Sequence, residues 1–94
     1  MIKVIIPAYN EEESISKVLN DIPSLVDEVI VVNNGSTDAT AQRAKDAGAT
    51  VISEPRRGYG YACLAGMEHI ASCSALPDIV VFLDGDYSDY PEEL

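Results

Sequence analysis

The sequence is poor in basic residues. Six lysines and arginines stand against sixteen aspartates and glutamates, so the formal net charge is −10 and the pI is about 4.2. A phosphate backbone or an anionic lipid surface repels such a chain at long range, which excludes nucleic acid as a partner. The chain can still bind a diphosphate if a divalent cation lies between its carboxylates and the ligand anions.

Cysteines and long apolar runs are also scarce. The two cysteines, Cys63 and Cys73, lie inside or next to one predicted helix, which holds them too far apart for a disulfide. We therefore expect reduced thiols and a cytoplasmic location. No apolar run approaches the length of a membrane span, and the N-terminus enters a strand without a basic region or cleavage site. Neither a membrane helix nor a signal peptide is predicted.

Apolar residues, in contrast, make up 47% of the 94 positions, enough for the core of one domain but not of two. Short runs rich in β-branched residues alternate with segments of helical periodicity. This alternation predicts an α/β fold, with a mainly parallel sheet and helices on its faces. The predicted strands are 3–6, 28–32, 50–53 and 79–83, and the predicted helices are 12–21, 38–47 and 59–71.

Three polar segments follow predicted strands directly. In a parallel α/β sheet, ligands bind at the carboxyl ends of the strands, so we expect these segments to converge at one edge. They are Pro7-Ala8-Tyr9-Asn10-Glu11 after the first strand, Asn33-Asn34-Gly35-Ser36-Thr37-Asp38 after the second, and Asp84-Gly85-Asp86 after the fourth.

The Asp84-Gly85-Asp86 segment places two carboxylates at the end of an apolar strand. Neighbouring anions repel each other unless they share a cation or a proton. Mg²⁺ or Mn²⁺ takes oxygen ligands and commonly joins one or two protein carboxylates to substrate phosphates. The alternative is a solvated turn without function.

The other polar segments also allow two interpretations each. Asn33, Asn34 and Gly35 form either a tight loop before a helix or a surface that reads the edge of a nucleobase. Tyr9 and Glu11 either contact a nucleoside or serve packing and capping.

The segment before the third helix contains Arg56, Arg57 and Gly58. The arginines either contact a ligand phosphate or base, or form a solvated turn. Gly58-Tyr59-Gly60 lacks the third glycine of a dinucleotide-binding fingerprint, so close backbone approach at a helix start is the better interpretation. His69 is the single histidine, and no catalytic role is assigned to it.

Taken together, four ordered motifs resemble those of the family-two glycosyltransferases, most closely the dolichyl- or polyprenyl-phosphate sugar transferase branch. The motifs begin at Val4, Val31, Arg57 and Phe82, and they run through Glu12, Asp38, Ala62 and Asp86 respectively. The resemblance implies a glycosyltransferase A (GT-A) fold, inverting transfer from a UDP- or GDP-sugar, and Mg²⁺ or Mn²⁺ as cofactor. It implies that residues 1–94 are a single domain, the N-terminal donor-binding part of a longer glycosyltransferase domain.

By position, the resemblance assigns Pro7, Tyr9 and Glu11 to the nucleoside site. Asp84 and Asp86, the two acids of a DXD motif, would meet the metal and the donor diphosphate, with Gly85 between them. Ala8, Asn33, Asn34, Gly35, Arg57 and Gly58 complete the predicted donor site.

The sequence departs from the family pattern at two positions. Asn34 replaces an acid that accepts a base N–H, so an accepting oxygen is kept and a charge is lost. Ser88 stands where the prenyl-phosphate branch often has a metal-contacting glutamine.

Beyond the donor site, the resemblance leaves the acceptor and the catalytic base to residues after Leu94. The acceptor would be one such as a prenyl phosphate, and the full-length protein would act at the cytoplasmic face of a membrane. We expect no sugar transfer by this chain alone, and self-association through the exposed edge of the fourth strand. The alternatives are a nucleotide-sugar-binding module without turnover and a sugar nucleotidyltransferase. The latter usually has a Gly-rich loop with Arg and Lys after the first strand, which this chain lacks.

Overall fold

Strands and helices alternate along the chain, as the sequence predicts. The computed structural model describes residues 1–73 and 76–83. The strands are β1 (Ile2–Ala8), β2 (Glu28–Asn33), β3 (Thr50–Ser53) and β4 (Ile79–Phe82), and the helices are α1 (Ile15–Asp21), α2 (Thr40–Asp46) and α3 (Tyr59–Ala71). All strand pairs are parallel, in the order β3-β2-β1-β4. The predicted α/β class and parallel sheet are confirmed.

The helix starts differ from the prediction for local reasons. Residues 12–14 form a turn that leads into α1, and the carbonyl of Glu11 accepts hydrogen bonds from the N–H groups of Ser14 and Ile15 at 3.1 and 2.8 Å. The second helix begins at Thr40 instead of residue 38. The carboxylate of Asp38 accepts the Thr40 N–H at 3.0 Å and remains outside the helix. The first helix therefore starts after a backbone turn, and the second starts where the Asp38 carboxylate accepts a backbone N–H.

Two apolar layers enclose the sheet. On one face, Val4, Ile6 and Val31 pack with α1 and α2. On the other, Ile5, Ile30 and Val32 pack against Ala62 and Ile70 of α3. These strand side chains are fully buried, and each contributes roughly 1.5–3 kcal/mol by leaving water. The alternation of consecutive residues between faces explains why the strands read as continuous apolar runs.

The strand register aligns the loops that follow the strands. Ala8 is paired with Asn33, and Asn33 with Ser53. We call this end of the sheet, marked by Ala8, Asn33 and Ser53, the carboxyl edge. Within residues 1–73 and 76–83, no helix has the length and apolar character that a membrane span requires.

Candidate functional site

The loop after β1 is bound to the loop after β2 at the carboxyl edge. The Asn10 N–H donates to Ser36 Oγ at 3.0 Å, and the Thr37 N–H donates to Asn10 Oδ1 at 2.8 Å. The Glu11 N–H donates to Thr40 Oγ1 at 2.8 Å. Asn10 has a φ of 51°, a left-handed conformation that asparagine tolerates better than most residues. Reciprocal bonds therefore fix the path of the chain just after Tyr9.

Asn34 joins the loop after β2 to the loop after β3. Its amide Nδ2 donates to the carbonyls of Glu54 and Arg56, both at 2.8 Å. Its Oδ1 accepts the N–H of Gly58 at 3.0 Å. The residue is buried, with 6% of its surface exposed. The sequence predicts that this side chain reads a base, but in the structure its polar atoms bind the neighbouring loop, and only the second lone pair of Oδ1 remains. The base-reading role stays a prediction.

The departure from an acid at this position has a physical reason. An aspartate has no N–H to donate, so it would turn a negative oxygen toward the carbonyls of Glu54 and Arg56. The asparagine amide instead satisfies both carbonyls and the Gly58 N–H. Asn34 thus fits the loop that it binds.

Arg57 lies over Tyr9, so the first and third loops meet. The guanidinium carbon is 3.6 Å from the centroid of the tyrosine ring, within the range of a cation–π contact. Gly35, at a φ of +79°, lies below: an added Cβ would be 3.3 Å from Arg57 Cδ. Tyr9 remains 38% exposed. The arginine, tyrosine and glycine therefore form one surface at the carboxyl edge.

Arg56 is engaged differently from Arg57. Its guanidinium donates to both carboxylate oxygens of the buried Glu54, at 3.1 and 2.8 Å, and lies 4.5 Å from the ring centroid of Tyr61. The hydrogen bonds from Arg56 hold the pKa of Glu54 below its ordinary range. No ion pair involves Arg57 in the part of the chain that the structure describes. Arg57 is thus the arginine available to a ligand anion.

Sequence reasoning missed Glu54 and the Asp38–Thr40 pair. Opposite charges at Glu54 and Arg56, on either side of a proline, were the available signal for the first. For the second, Asp38 followed by a threonine two residues later matches a turn in which aspartate binds a nearby backbone N–H. The hydrogen bonds from Thr40 lower the pKa of Asp38. Both acids shape loops at the carboxyl edge.

A cleft of about 380 Å³ lies beside the Arg57–Tyr9 contact. Its lining belongs to the start of α3 and the residues just before it: Arg57, Gly58, Gly60, Tyr61 and Leu64. Glycines there leave the backbone accessible, as expected for close approach of a ligand at a helix start. The Gly58 N–H, however, is already bound to Asn34.

The predicted metal ligands, Asp84 and Asp86, and Gly85 between them, lie outside the described residues. The strand that leads to them is in place: the N–H of Leu83 donates to the carbonyl of Ile5 at 3.1 Å, and Leu83 is buried. β4 runs parallel to β1, so the chain reaches residue 83 heading toward the carboxyl edge. Two carboxylates form the hard oxygen donor set that suits Mg²⁺ or Mn²⁺.

Known proteins are similar to this chain in sequence and in architecture. The sequence model of glycosyl transferase family 2 matches residues 3–94. Protein RfbJ of Shigella flexneri is 42% identical over 87 residues, covering 90% of this chain and 64% of that protein. Among solved structures, glucosyl-3-phosphoglycerate synthase from Mycobacterium tuberculosis with Mn²⁺, UDP and glucosyl-3-phosphoglycerate is similar at 40% identity, with a TM-score of 0.73 over 90% of this chain and 33% of that one. The complex of that synthase with Mg²⁺ and UDP gives the same identity, TM-score and coverage. The chain therefore spans about two thirds of RfbJ and a third of the synthase.

Proposed function

The chain belongs to glycosyltransferase family 2 and has the GT-A fold, and from this membership we propose that it binds the nucleotide-sugar donor of an inverting, metal-dependent sugar transfer. The observation that carries the proposal is the meeting of three loops at the carboxyl edge. Tyr9, Gly35 and Arg57 are adjacent there although they belong to different loops. The carboxyl ends of parallel strands are where such sheets bind ligands.

The nucleoside lies, in this proposal, along the exposed side of Tyr9, with Pro7, Ala8 and Glu11 around it. Asn33 and the second lone pair of Asn34 Oδ1 face the base edge in this proposal. Arg57 offers a positive charge without a carboxylate partner among the described residues, which suits a donor phosphate or a stacked base. Gly35 and Gly58 leave room for the ligand.

The donor diphosphate needs a cation in a chain of net charge −10. We assign Asp84 and Asp86 as its protein ligands, with Mg²⁺ or Mn²⁺ as the ion. The metal would stabilise the charge that develops on the departing diphosphate. The similar synthase structures contain UDP with either ion, which supports a UDP-sugar over a GDP-sugar.

The acceptor is proposed to carry a phosphate group. The prenyl-phosphate branch resemblance favours a prenyl phosphate and a protein acting at the cytoplasmic face of a membrane. The similar synthase structures favour a small phosphorylated acid, since they are complexes with phosphoglyceric acid or glucosyl-3-phosphoglycerate. Release of UDP from a UDP-sugar by the full-length protein, with each acceptor in turn, distinguishes the two. Binding without release in either case would favour a module without turnover.

The decisive experiment is calorimetric titration of UDP and GDP with Mn²⁺, with Mg²⁺ and with a chelator. We expect metal to strengthen UDP binding by about tenfold or more, equivalent to about 1.4 kcal/mol, and Asp84→Ala/Asp86→Ala to remove that gain. Asp46→Ala, which deletes an exposed acid at the end of α2, is the matched control and should bind as the parent does. Equal affinity in chelator, or an unchanged metal response in the double variant, would refute the assignment.

A further inference from the structure

A second cluster of ligating side chains lies at the opposite end of the sheet, where the strands begin. Lys3 of β1 is paired with Glu28 of β2, and Thr50 of β3 donates from Oγ1 to Glu28 Oε2 at 3.0 Å. His69, in the last turn of α3, and Cys73, just after it, lie above this row. α3 contributes its first turn to the carboxyl edge and its last turn to this cluster.

The imidazole of His69 has an unsatisfied atom. Its Nε2 is buried and has no hydrogen-bond partner, a state found for no other side-chain nitrogen or oxygen in residues 1–73 and 76–83. Its neighbour, Glu28 Oε2, is 3.6 Å away, too far for a hydrogen bond. A buried polar atom without a hydrogen-bond partner is unfavourable, and a metal ion or a water molecule between the two side chains would satisfy it.

The spacing of the cluster matches ligands around one ion. Two ligand atoms bound tetrahedrally at about 2.0–2.2 Å lie roughly 3.3–3.6 Å apart. The distance between His69 Nε2 and Glu28 Oε2 is at that value. One ligand atom each from Glu28, His69 and Cys73 lie within 4.8 Å of one another. Only a small movement of side chains is needed to close the set.

We propose that Glu28 Oε2, His69 Nε2 and Cys73 Sγ bind a zinc ion, with solvent as the fourth ligand. The combination of carboxylate, imidazole and thiolate suits Zn²⁺, whereas Mg²⁺ and Mn²⁺ prefer oxygen alone. His69 is 27% exposed at its side chain, which leaves a route for the ion and for water.

Two residues around the cluster orient its carboxylate. Lys3 Nζ donates to Glu28 Oε1 at 2.9 Å, leaving Oε2 for the ion, and Thr50 holds that same Oε2. Partners of this kind fix the direction of a metal ligand. The ammonium of Lys3 also lies beside the Cys73 side chain. The Glu28 carboxylate and a Cys73 thiolate would together balance the two positive charges of the ion. The ammonium of Lys3 adds a further positive charge beside the site.

The bound ion would link the end of α3 to the first residue of β2. α3 has thirteen residues and thus spans roughly 20 Å, so the zinc site is remote from the donor site at the helix start. We therefore expect zinc to change the stability of the fold and not the binding of the donor metal. An ion that binds only the folded chain raises the melting temperature by mass action.

The test uses Co²⁺ as a spectroscopic substitute for zinc, added to metal-free chain in an Asp84→Ala/Asp86→Ala background. That background removes the proposed donor metal, so the two proposals fail or succeed separately. We expect one equivalent of Co²⁺ to give a thiolate-to-cobalt absorption band that Zn²⁺ abolishes. Cys73→Ser, His69→Gln and Glu28→Gln should each weaken binding by about tenfold or more.

Cys63→Ser is the matched control, since Cys63 is also a partly buried free cysteine of the α3 region but lies outside the cluster. It should keep the cobalt band and the rise in melting temperature with zinc. In the Cys63→Ser variant, Cys73 is the single cysteine, and zinc should protect it from alkylation. This measurement tests Cys73 without substituting it. Absence of the band, equal binding by Cys73→Ser, or alkylation unaffected by zinc would each overturn the proposal.

Discussion

Asn34 shows how one side chain can determine the shape of a site. Its amide binds two carbonyls and one N–H of the loop that carries Arg57. Hydrogen bonds of buried groups each contribute about 1 kcal/mol net, and a group left without its partner costs more. The position of Arg57 over Tyr9 therefore depends on Asn34, although the Asn34 amide is bonded to neither residue.

Asn34→Ala should lower the free energy of unfolding by about 2–4 kcal/mol, because three backbone groups lose their partner. Asn34→Asp should also destabilise, since it keeps an acceptor but loses both donated bonds. Urea denaturation measures the change. Asn20→Ala, at an exposed position of α1, is the control and should stay within about 0.5 kcal/mol of the parent. A loss no larger than that of the control would show that the loop holds its shape without the amide.

Glu54 makes the stability depend on pH. The hydrogen bonds from Arg56 lower the pKa of this carboxyl below its ordinary value of 4.5. A lowered folded-state pKa stabilises the protein above the ordinary value, and this stabilisation is lost as the pH falls through the folded-state pKa. Chemical denaturation at several pH values should therefore show Glu54→Gln less stable than the parent at pH 7, with the difference shrinking below pH 4.5. A difference independent of pH would contradict this role of the charge.

At the scale of elements, α3 packs unusually close to β1. Gly66 allows this approach: a Cβ at that position would lie 2.7 Å from Ile5 Cγ2 and 3.0 Å from Ile5 Cδ1. Ile5 is fully buried, so it has little room to move. The same helix contains Gly60, where an added Cβ meets nothing within 4 Å. Gly66 is therefore needed for the close packing of α3 on β1, whereas Gly60 is not.

Gly66→Ala should destabilise the fold by about 1–2 kcal/mol, because overpacking against Ile5 outweighs the gain in helix propensity. Gly60→Ala should stabilise it by up to about 1 kcal/mol, since only the propensity changes. Thermal and urea unfolding of the two variants compare the same substitution in one helix. Equal stabilisation by both would mean that α3 moves away from β1 at no cost.

At the scale of the whole molecule, β4 has a paired neighbour on one side only among the described strands. Apolar side chains are exposed on and before it: Ile79 at 52%, Phe82 at 40% and Leu76 at 69%. An edge strand with exposed apolar residues and no charge within it is a template for pairing with another chain. Self-association is therefore expected of this surface.

The molar mass from light scattering coupled to size exclusion should rise with concentration as a dimer forms. Ile79→Lys should shift the equilibrium toward monomer, because a charge on the edge strand opposes pairing. Leu25→Lys is the control. Leu25 is 53% exposed, close to the 52% of Ile79, but it lies in the loop between α1 and β2 and not on β4. A single-chain mass at every concentration, or the same response to both variants, would exclude association through β4.

The sequence by itself determined the α/β class, the seven elements and the edge at which the loops after β1 and β2 meet. Apolar periodicity is local, so runs such as those of β2 and β4 are readable without a structure. The start of α2 was misplaced: Asp38 accepts the Thr40 N–H from outside the helix, and periodicity does not show whether a polar residue precedes a helix or begins it.

Only the tertiary structure decided which side chains meet. The partners of Asn34 are 20 to 24 positions away, Arg57 covers Tyr9 from another loop, and His69 reaches Glu28 across the helix–sheet interface. Each contact depends on strand register and on how a loop closes. The secondary structure of a segment depends mainly on its own residues. The distance between two segments depends on how the strands and helices between them pack.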